Sequence, residues 1–257
     1  MRQSDGPGDP YAAIARYYDL EHDRFSDDLG MYQHIVEMVG DPVLELACGS
    51  GRILSAVTAP GRRLVGVDTS QPMLDRARAR FANHAAAPDL RLGEMTEPVA
   101  EAGTFGIVIV GLSSLHHVET QTGQIAVLKT AFQALDPRGM LVLDLINPLA
   151  ALAEEDAGLV HLEAILGDGP HAVMKFSTRQ IIAAQQQIAN TIWYDEPTHD
   201  GAMLRTTTSM SLRLVFPAEL DLMLTAAGFV GSEQYGNYEL DPFTATSPRL
   251  IVMAEKT

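Results

Sequence analysis

The sequence predicts an α/β fold built on a mostly parallel sheet, and three observations lead there. Short apolar runs alternate with segments of helical spacing between residues 29 and 146, which is typical of βαβ units. The run Val43–Leu46 leads into a glycine-rich turn, and Leu64–Val67 ends at the acid Asp68. From Leu159 onward apolar and polar residues tend to alternate, which predicts an antiparallel insertion.

Composition limits the classes of function. A chain of 257 residues with 46% hydrophobic and 20% charged residues fits one globular domain. The net charge of -15 argues against a nucleic-acid partner, because such binding depends on Lys and Arg. A single cysteine excludes an intramolecular disulfide. No apolar run reaches membrane-spanning length and no signal peptide is recognised, so we expect a cytoplasmic protein without a membrane partner.

The first part of the chain predicts helices, and the next part a nucleoside-binding core. Gly and Pro residues before residue 11 indicate a loosely attached start. Residues 1–40 are expected to form a helical lid, and residues 41–146 the core. Predicted helices cover 11–18, 29–39, 52–58, a segment that opens at Ser70 and Pro72, and 123–135. Predicted core strands begin at Val43, Leu64, Leu90, Thr104 and Met140.

The remainder is predicted to be a cap on the same domain. A short helical piece over 147–158 precedes strands at 160–166, 172–182, 188–194 and 204–214. This insert, residues 147–216, suits an antiparallel meander rather than further βα units. A helix over 217–227, with Gly228 as its C-cap, and strands over 229–235 and 249–254 return to the core. The whole chain, 1–257, is therefore predicted to be one domain.

The turn after Val43–Leu46 is the strongest functional signal. Gly49 and Gly51 let the backbone turn tightly and approach a ligand. Asp68 lies about 20 residues further on, where a doubly wound fold places a carboxylate against a ribose diol. The third glycine of the dinucleotide fingerprint would fall at Leu54, which disfavours a nicotinamide-dependent oxidoreductase. An ordinary crossover without a ligand is the other alternative.

The segment Glu45-Leu46-Ala47-Cys48-Gly49-Ser50-Gly51-Arg52 resembles motif I of the class I S-adenosylmethionine (SAM) methyltransferases. The resemblance implies a Rossmann-like seven-stranded sheet with an antiparallel last strand, SAM as cofactor and S-adenosylhomocysteine as product. The strand-rich insert is similar to that of sugar-amine N,N-dimethyltransferases and, more distantly, of glycine N-methyltransferase. By resemblance, the cofactor-binding residues are Tyr17, Glu45, Ala47, Cys48, Gly49, Gly51, Arg52, Asp68, Thr69, Met73, Glu94, Met95 and Leu112.

The resemblance implies in-line transfer of a methyl group to an amine or a hydroxyl of a small molecule. His116 and His117 follow the fourth strand, at the sheet edge where open α/β folds place their chemistry. His117 is the candidate base or orienting group, with His116 and Tyr18 as further catalytic candidates. Asn147, Trp193 and Tyr235 are candidate substrate contacts.

Several options stay open at this stage. A SAM-binding protein without catalysis is one alternative, and a nucleic-acid methyltransferase is a minor one that the acidic composition opposes. The remaining histidines are scattered along the chain, so no metal site is predicted. We expect a small-molecule partner and leave a homodimer open.

Overall fold

The computed structural model describes residues 8–84, 86–98, 101–152 and 158–256. Residues 1–7 of the predicted loose start (1–10) and residues 153–157 of the predicted helical piece (147–158) lie outside the described residues. The helices are α1 (Ala15–His22), α2 (Leu29–Val39), α3 (Arg52–Ala56), α4 (Gln71–Phe81), α5 (Gln121–Ala134), α6 (Pro148–Leu152) and α7 (Pro217–Ala227). The strands are β1 (Val43–Leu46), β2 (Leu64–Asp68), β3 (Asp89–Leu92), β4 (Phe105–Val110), β5 (Leu135–Ile146), β6 (His161–Leu166), β7 (Val173–Ile182), β8 (Gln187–Pro197), β9 (Met203–Arg213), β10 (Glu233–Tyr235) and β11 (Arg249–Glu255).

The main sheet has seven strands in the order β10-β11-β5-β4-β1-β2-β3. Strands β1 to β5 pair in parallel, and β11 is antiparallel to both β5 and β10. Every residue of β1 and of β4 is buried, which is typical of central strands covered on both faces. The prediction of a mostly parallel sheet with an antiparallel last strand is confirmed.

Helices cover the two faces of this sheet. On one face α5 and α7 contribute Val127, Leu128 and Leu224 to a buried apolar cluster with the strands. On the other face Ile35 from α2 and Leu74 from α4 belong to a second cluster. No helix among the described residues is long and apolar enough to cross a membrane.

The predicted helix-capping residues Ser70 and Gly228 lie at helix ends in the structure. The Ser70 side chain accepts a hydrogen bond from the Met73 backbone N–H at 3.4 Å and caps α4, with Pro72 in the first turn. Gly228 adopts a left-handed conformation with φ +115° and ends α7. The parallel pairing of β1 to β5 places the carboxyl ends of these strands at one edge of the sheet.

The insertion forms a separate antiparallel sheet in the order β6-β7-β8-β9, so the predicted meander is confirmed. Its buried face packs against the N-terminal segment. Ile14 and Tyr17 form an apolar cluster there with Ile192 and Tyr194 of β8. The cap and the N-terminal helix thereby close over the same edge of the main sheet.

Several boundaries differ from the sequence prediction, three of them by four or five residues. The predicted strand over 229–235 is formed only over Glu233–Tyr235. Helix α1 begins at Ala15 rather than at Tyr11 and runs through His22. Its position follows tertiary contacts, because Asp19 pairs with Arg76 and Arg80 of α4. Strand β5 begins at Leu135, within the predicted helix end, and its pairing with β4 contains an irregularity after Phe105.

Candidate active site

A cavity of about 1060 Å³ lies between the carboxyl ends of the core strands and the cap. We call its two sides the core wall (residues 45, 47–50, 52–53, 68–69, 73 and 94–95) and the cap wall (residues 189–191 and 207–211). Residues 8–13 and the turn after β4 complete the lining. Ligand sites for one small molecule typically occupy about 300–1,000 Å³, so this cavity has room for two small ligands side by side.

The loop after β1 bends sharply because several of its residues have positive φ. Gly49 has φ +54° and Gly51 has φ +75°, a region that glycine adopts without steric cost. A Cβ on Gly51 would approach the Phe81 side chain to 3.0 Å, and one on Gly49 would approach Met73 to 3.3 Å. The loop therefore packs tightly on α4 and offers backbone rather than side chain to the cavity.

Asp68 joins this loop to the end of β2. Its carboxylate accepts hydrogen bonds from the backbone N–H groups of Gly49 at 2.7 Å and Ser70 at 2.8 Å. Burial raises the pKa of this carboxyl. A carboxylate has about four acceptor positions, so Asp68 keeps acceptor capacity toward the cavity that it lines.

Glu45 is buried within β1 and lines the same wall. Its Oε2 atom is buried without a hydrogen-bond partner among the described residues, and burial raises the pKa of the carboxyl well above its usual value. The nearby Arg52 guanidinium instead binds both carboxylate oxygens of Asp28, at 2.9 and 2.5 Å. A cationic ligand group beside Glu45 would restore its ionised form.

The turn after β4 is held in an unusual conformation by a buried ion pair. Leu112 and Ser113 have φ values of +45° and +66°, which cost free energy for residues other than glycine. Asp144 accepts a hydrogen bond from the Leu112 N–H at 3.2 Å and pairs with Arg249. Arg249 also donates to the Ser113 hydroxyl at 2.9 Å. This network fixes the direction in which the following helical turn, Ser114–His117, enters the cavity.

His117 lines the cavity at the end of that turn. Its Nε2 lies 2.9 Å from the hydroxyl of Tyr11, a residue that the sequence did not single out. Burial lowers the pKa of His117 to about 4, so the imidazole is neutral at neutral pH. Burial also raises the pKa of Tyr11, and its hydroxyl therefore stays protonated. Tyr18 lines the cavity as well, and its ring stacks on His22 with centroids 4.0 Å apart.

Similarity to known proteins indicates the class of enzyme. A family of methyltransferase domains matches residues 43–139, the stretch that carries the glycine loop and Asp68. The cypemycin N-terminal methyltransferase of a Streptomyces species is 26% identical over 243 residues, covering 93% of this chain and 94% of that protein. These matches identify the protein as a SAM-dependent methyltransferase.

Other comparisons agree with this family and with the fold. A methyltransferase-like protein of Bacillus subtilis is 28% identical over 129 residues, 47% of this chain, and the match spans 51% of that relative's length. The structure of the CcbJ methyltransferase of Streptomyces caelestis has a TM-score of 0.79 at 22% identity, covering 97% of this chain and 100% of that chain. An amino pentose methyltransferase of Micromonospora echinaspora, solved with SAM bound, has a TM-score of 0.72 at 17% identity and covers 100% of each chain.

The methyltransferase brings most of the predicted site residues together. Gly51 lies behind the lining and shapes the loop. Predicted residues that line the cavity are Tyr18, Glu45, Ala47, Cys48, Gly49, Arg52, Asp68, Thr69, Met73, Glu94, Met95, Leu112 and His117.

Two aromatic residues predicted to contact ligands do not line the cavity in this methyltransferase. Tyr17 is buried against the cap, where its ring stacks on Tyr194 at 4.4 Å and its hydroxyl donates to Glu196 at 3.0 Å. Trp193 stacks on Phe176 at 5.6 Å, away from the cavity. The geometry therefore gives no basis for the predicted roles of Tyr17 in cofactor binding and of Trp193 in substrate binding.

Three further predicted residues also lie away from the cavity. His116 is fully buried, and neither ring nitrogen has a partner among the described residues. Asn147 donates to the backbone carbonyls of Ala245 and Ser247, which orders the loop before β11. Tyr235 donates to Glu233 at the sheet edge. Each side chain is positioned by packing or structural hydrogen bonds rather than toward a ligand.

The cap wall is the part of the site that the sequence did not identify. It consists of strand residues with small or polar side chains, listed here in chain order: Ala189, Asn190, Thr191, Thr207, Thr208, Ser209, Met210 and Ser211. These residues lie 72 or more positions after His117, and only the pairing of β8 with β9 brings them together. The cap wall therefore presents mainly small and polar side chains to the cavity.

Proposed function

We propose that this methyltransferase transfers the methyl group of SAM to an amine of a small polar molecule held under the cap. One observation carries the choice of an amine: the ring of His117 faces a cavity rich in carboxylates and is neutral at neutral pH. Similarity to methyltransferases supports the methyl transfer, and the site residues favour an amine as the acceptor.

The core wall fits SAM. The unpaired Oε2 of Glu45 suits the ammonium group of the cofactor, and the free acceptor positions of Asp68 suit the ribose hydroxyls. Met73 lies beside the glycine loop and offers an apolar contact to the adenine. Glu94, on the loop after β3, lines the same wall and can accept a hydrogen bond from the adenine amine.

The charges in the cavity favour a cationic acceptor. The one lining arginine, Arg52, is already paired with Asp28. Lining carboxylates of the described residues are those of Asp9, Glu45, Asp68, Glu94 and Glu119. Asp9 and Glu119 lie outside the core wall, so the negative potential extends beyond the cofactor and concentrates ammonium ions near the cap.

When bound, SAM supplies a methyl group on a sulfonium. The nitrogen of a neutral amine bonds to the methyl carbon in line as the carbon–sulfur bond breaks, and S-adenosylhomocysteine is the leaving group. We assign Nε2–H of His117 as the donor to the Tyr11 oxygen, which leaves Nδ1 as an acceptor for an N–H of the amine. That contact orients the nitrogen lone pair toward the methyl carbon, and orientation alone can contribute several kcal/mol. The amine loses its own proton to water before it attacks.

An amine fits this histidine better than a hydroxyl does. A hydroxyl acceptor benefits from a base whose pKa lies near the working pH, and His117, with a pKa of about 4, is too weak a base. Two of the similar proteins are named for amine-bearing substrates, a peptide N-terminus and an amino pentose. These names support an amine as the methyl acceptor.

The test is a set of matched acceptor pairs. The purified protein is incubated with SAM and with glucosamine or glucose, and with triglycine or N-acetyltriglycine. S-adenosylhomocysteine and methylated product are measured by mass spectrometry. We expect methyl transfer only to the member of a pair that has a free amine. Methylation of glucose at the rate of glucosamine would favour a hydroxyl acceptor, and SAM binding without any turnover would favour a protein that has lost catalysis.

A further inference from the structure

Asn190 occupies an inward-facing position in the middle of the cap wall. Side chains of a strand alternate between its two faces, and Asn190 shares its face with Ile188 and Ile192, which are buried. Its partner across the ladder is Met210 of β9. β9 also contacts the helical turn that carries His117. Asn190 therefore faces the part of the cavity that lies between the cap and the reacting centre.

The side-chain amide of Asn190 has an oxygen that no described residue satisfies. Its Oδ1 atom is buried and makes no hydrogen bond with the described residues. The hydroxyl of Thr208, which lies on the same face, is already engaged because it donates to the Pro10 carbonyl at 2.7 Å. A buried amide oxygen without a partner costs free energy, and an unsatisfied group of this kind in a cavity calls for a functional explanation.

We propose that Asn190 is the residue that selects the methyl acceptor, by accepting a hydrogen bond from a hydroxyl group of that molecule. The acceptor class is then an amino alcohol: its amine meets His117 and a hydroxyl on a nearby carbon meets Asn190. A hydroxyl fits this position because its O–H group can donate to the Oδ1 atom of Asn190. This inference rests on the proposed function, since it assigns the second contact of the same acceptor.

The experiment compares two probes that differ by one hydroxyl, trans-2-aminocyclohexanol and cyclohexylamine. We expect the wild-type protein to methylate the amino alcohol with a kcat/KM about 10–100-fold above that of the plain amine, which is the range for one buried hydrogen bond. Asn190→Leu should remove this preference by lowering kcat/KM for the amino alcohol alone. SAM affinity should be unchanged in this variant.

Two more variants separate recognition from structure. Asn190→Asp keeps an acceptor oxygen and should retain the preference for the amino alcohol. Gln180→Leu, at an exposed position on β7 of the same sheet, is the matched control and should change neither substrate. Thermal unfolding gives a readout that needs no acceptor. Asn190→Leu should not lower Tm, because it removes an unpaired buried group.

The outcomes are distinct. A clear fall in Tm for Asn190→Leu would mean that the amide is bonded within the protein and would overturn the inference. An unchanged preference in that variant, or equal rates for the two probes in the wild-type protein, would also overturn it. Failure to methylate any amine, with transfer to hydroxyl compounds instead, is the separate result that overturns the proposed function.

Discussion

The core wall of the cavity is built from neighbours in the sequence, whereas the cap wall and the reacting centre are assembled from residues far apart. Asp68 holds the Gly49 amide across 19 positions of the chain. By contrast, Tyr11 meets His117 across 106 positions, and Thr208 holds the Pro10 carbonyl across 198. One wall is a local motif, and the other is a product of tertiary structure.

This difference separates cofactor binding from acceptor choice. The core wall depends on backbone geometry, since the positive φ values of Gly49 and Gly51 determine the path of the loop. The cap wall depends on which face each strand residue presents. We therefore expect core-wall substitutions to change SAM affinity, and substitutions near His117 or Asn190 to change turnover or acceptor preference with little effect on SAM affinity.

The largest expected effect is the pH dependence of kcat/KM with an amine acceptor. Because His117 has a pKa of about 4, its protonation does not change between about pH 6 and pH 8. Only the acceptor amine loses its proton in that range, so kcat/KM should rise about tenfold per pH unit below the pKa of the amine. The profile is measured with glucosamine over this range. A second rise near pH 6.5 would show that His117 titrates as a general base.

Substitution at the core wall comes next. Asp68→Ala should weaken SAM binding by about 1–3 kcal/mol, or roughly 5–150-fold, because the ribose hydroxyls and the Gly49 amide both lose an acceptor. Calorimetry measures the affinity. Asp75→Ala on the exposed side of α4 is the control, since Asp75 pairs only with surface groups. Unchanged SAM affinity in Asp68→Ala would remove Asp68 from the cofactor site.

Substitution of the orienting histidine should have a smaller effect, and on a different quantity. His117→Gln should lower kcat about tenfold, the range for one lost hydrogen bond to the acceptor, and leave SAM affinity unchanged. Steady-state kinetics with glucosamine, together with calorimetry for SAM, gives both quantities. A fall of about 10²–10⁴ in kcat would instead indicate a general base, and full activity would exclude His117 from the reaction.

Tyr11→Phe tests the second half of the same contact. The phenylalanine keeps the ring packing but removes the oxygen 2.9 Å from Nε2 of His117. We expect kcat to fall by about 2–10-fold, as for one neutral hydrogen bond. Tyr235→Phe is the control because, among the described residues, the hydroxyl of Tyr235 bonds to Glu233 at the sheet edge. Equal kcat values in the two variants would mean that Tyr11 does not orient His117.

His116→Leu should have the smallest effect on activity, with kcat within about twofold of wild type. Burial, with the nearby Arg249 charge, lowers the pKa of His116 from 6.5 to about 3. Between these values the unfolded chain binds more protons, so the wild-type protein loses stability as the pH falls. The His116→Leu variant should lose less stability than the wild type as the pH falls, and Tm measured near pH 7.5 and near pH 5 checks this. A lower Tm for the variant at both pH values would reveal a structural hydrogen bond to His116.

The sequence predicted the core wall well because its signals are local. Glu45, Gly49 and Asp68 lie next to strands that can be recognised from their apolar runs, and the sheet then brings them to one edge. The cap was predicted as an antiparallel meander for the same reason, since alternation is visible over a few residues.

The residues that we propose contact the acceptor could not be chosen in this way. In a strand, neighbouring residues face opposite sides, so Trp193 and Ile192 differ only in parity. The buried cluster takes Ile192, and Trp193 turns away to stack on Phe176. The neighbouring residues Tyr17 and Tyr18 of α1 likewise point in different directions: Tyr17 packs against the cap and Tyr18 lines the cavity. No local pattern fixes these choices, because the register of β8 and the docking of α1 are set by contacts between distant segments.

The most direct test of the two-wall account is a crystal structure of the protein with S-adenosylhomocysteine and the amine acceptor that it methylates best. The account predicts the adenosine group against Asp68 and the glycine loop, with the acceptor between His117 and the cap wall. It also predicts that the nitrogen of the acceptor lies within hydrogen-bond distance of Nδ1 of His117. An acceptor bound outside the cavity, or one that reaches the sulfur without contacting His117 or the cap wall, would contradict it.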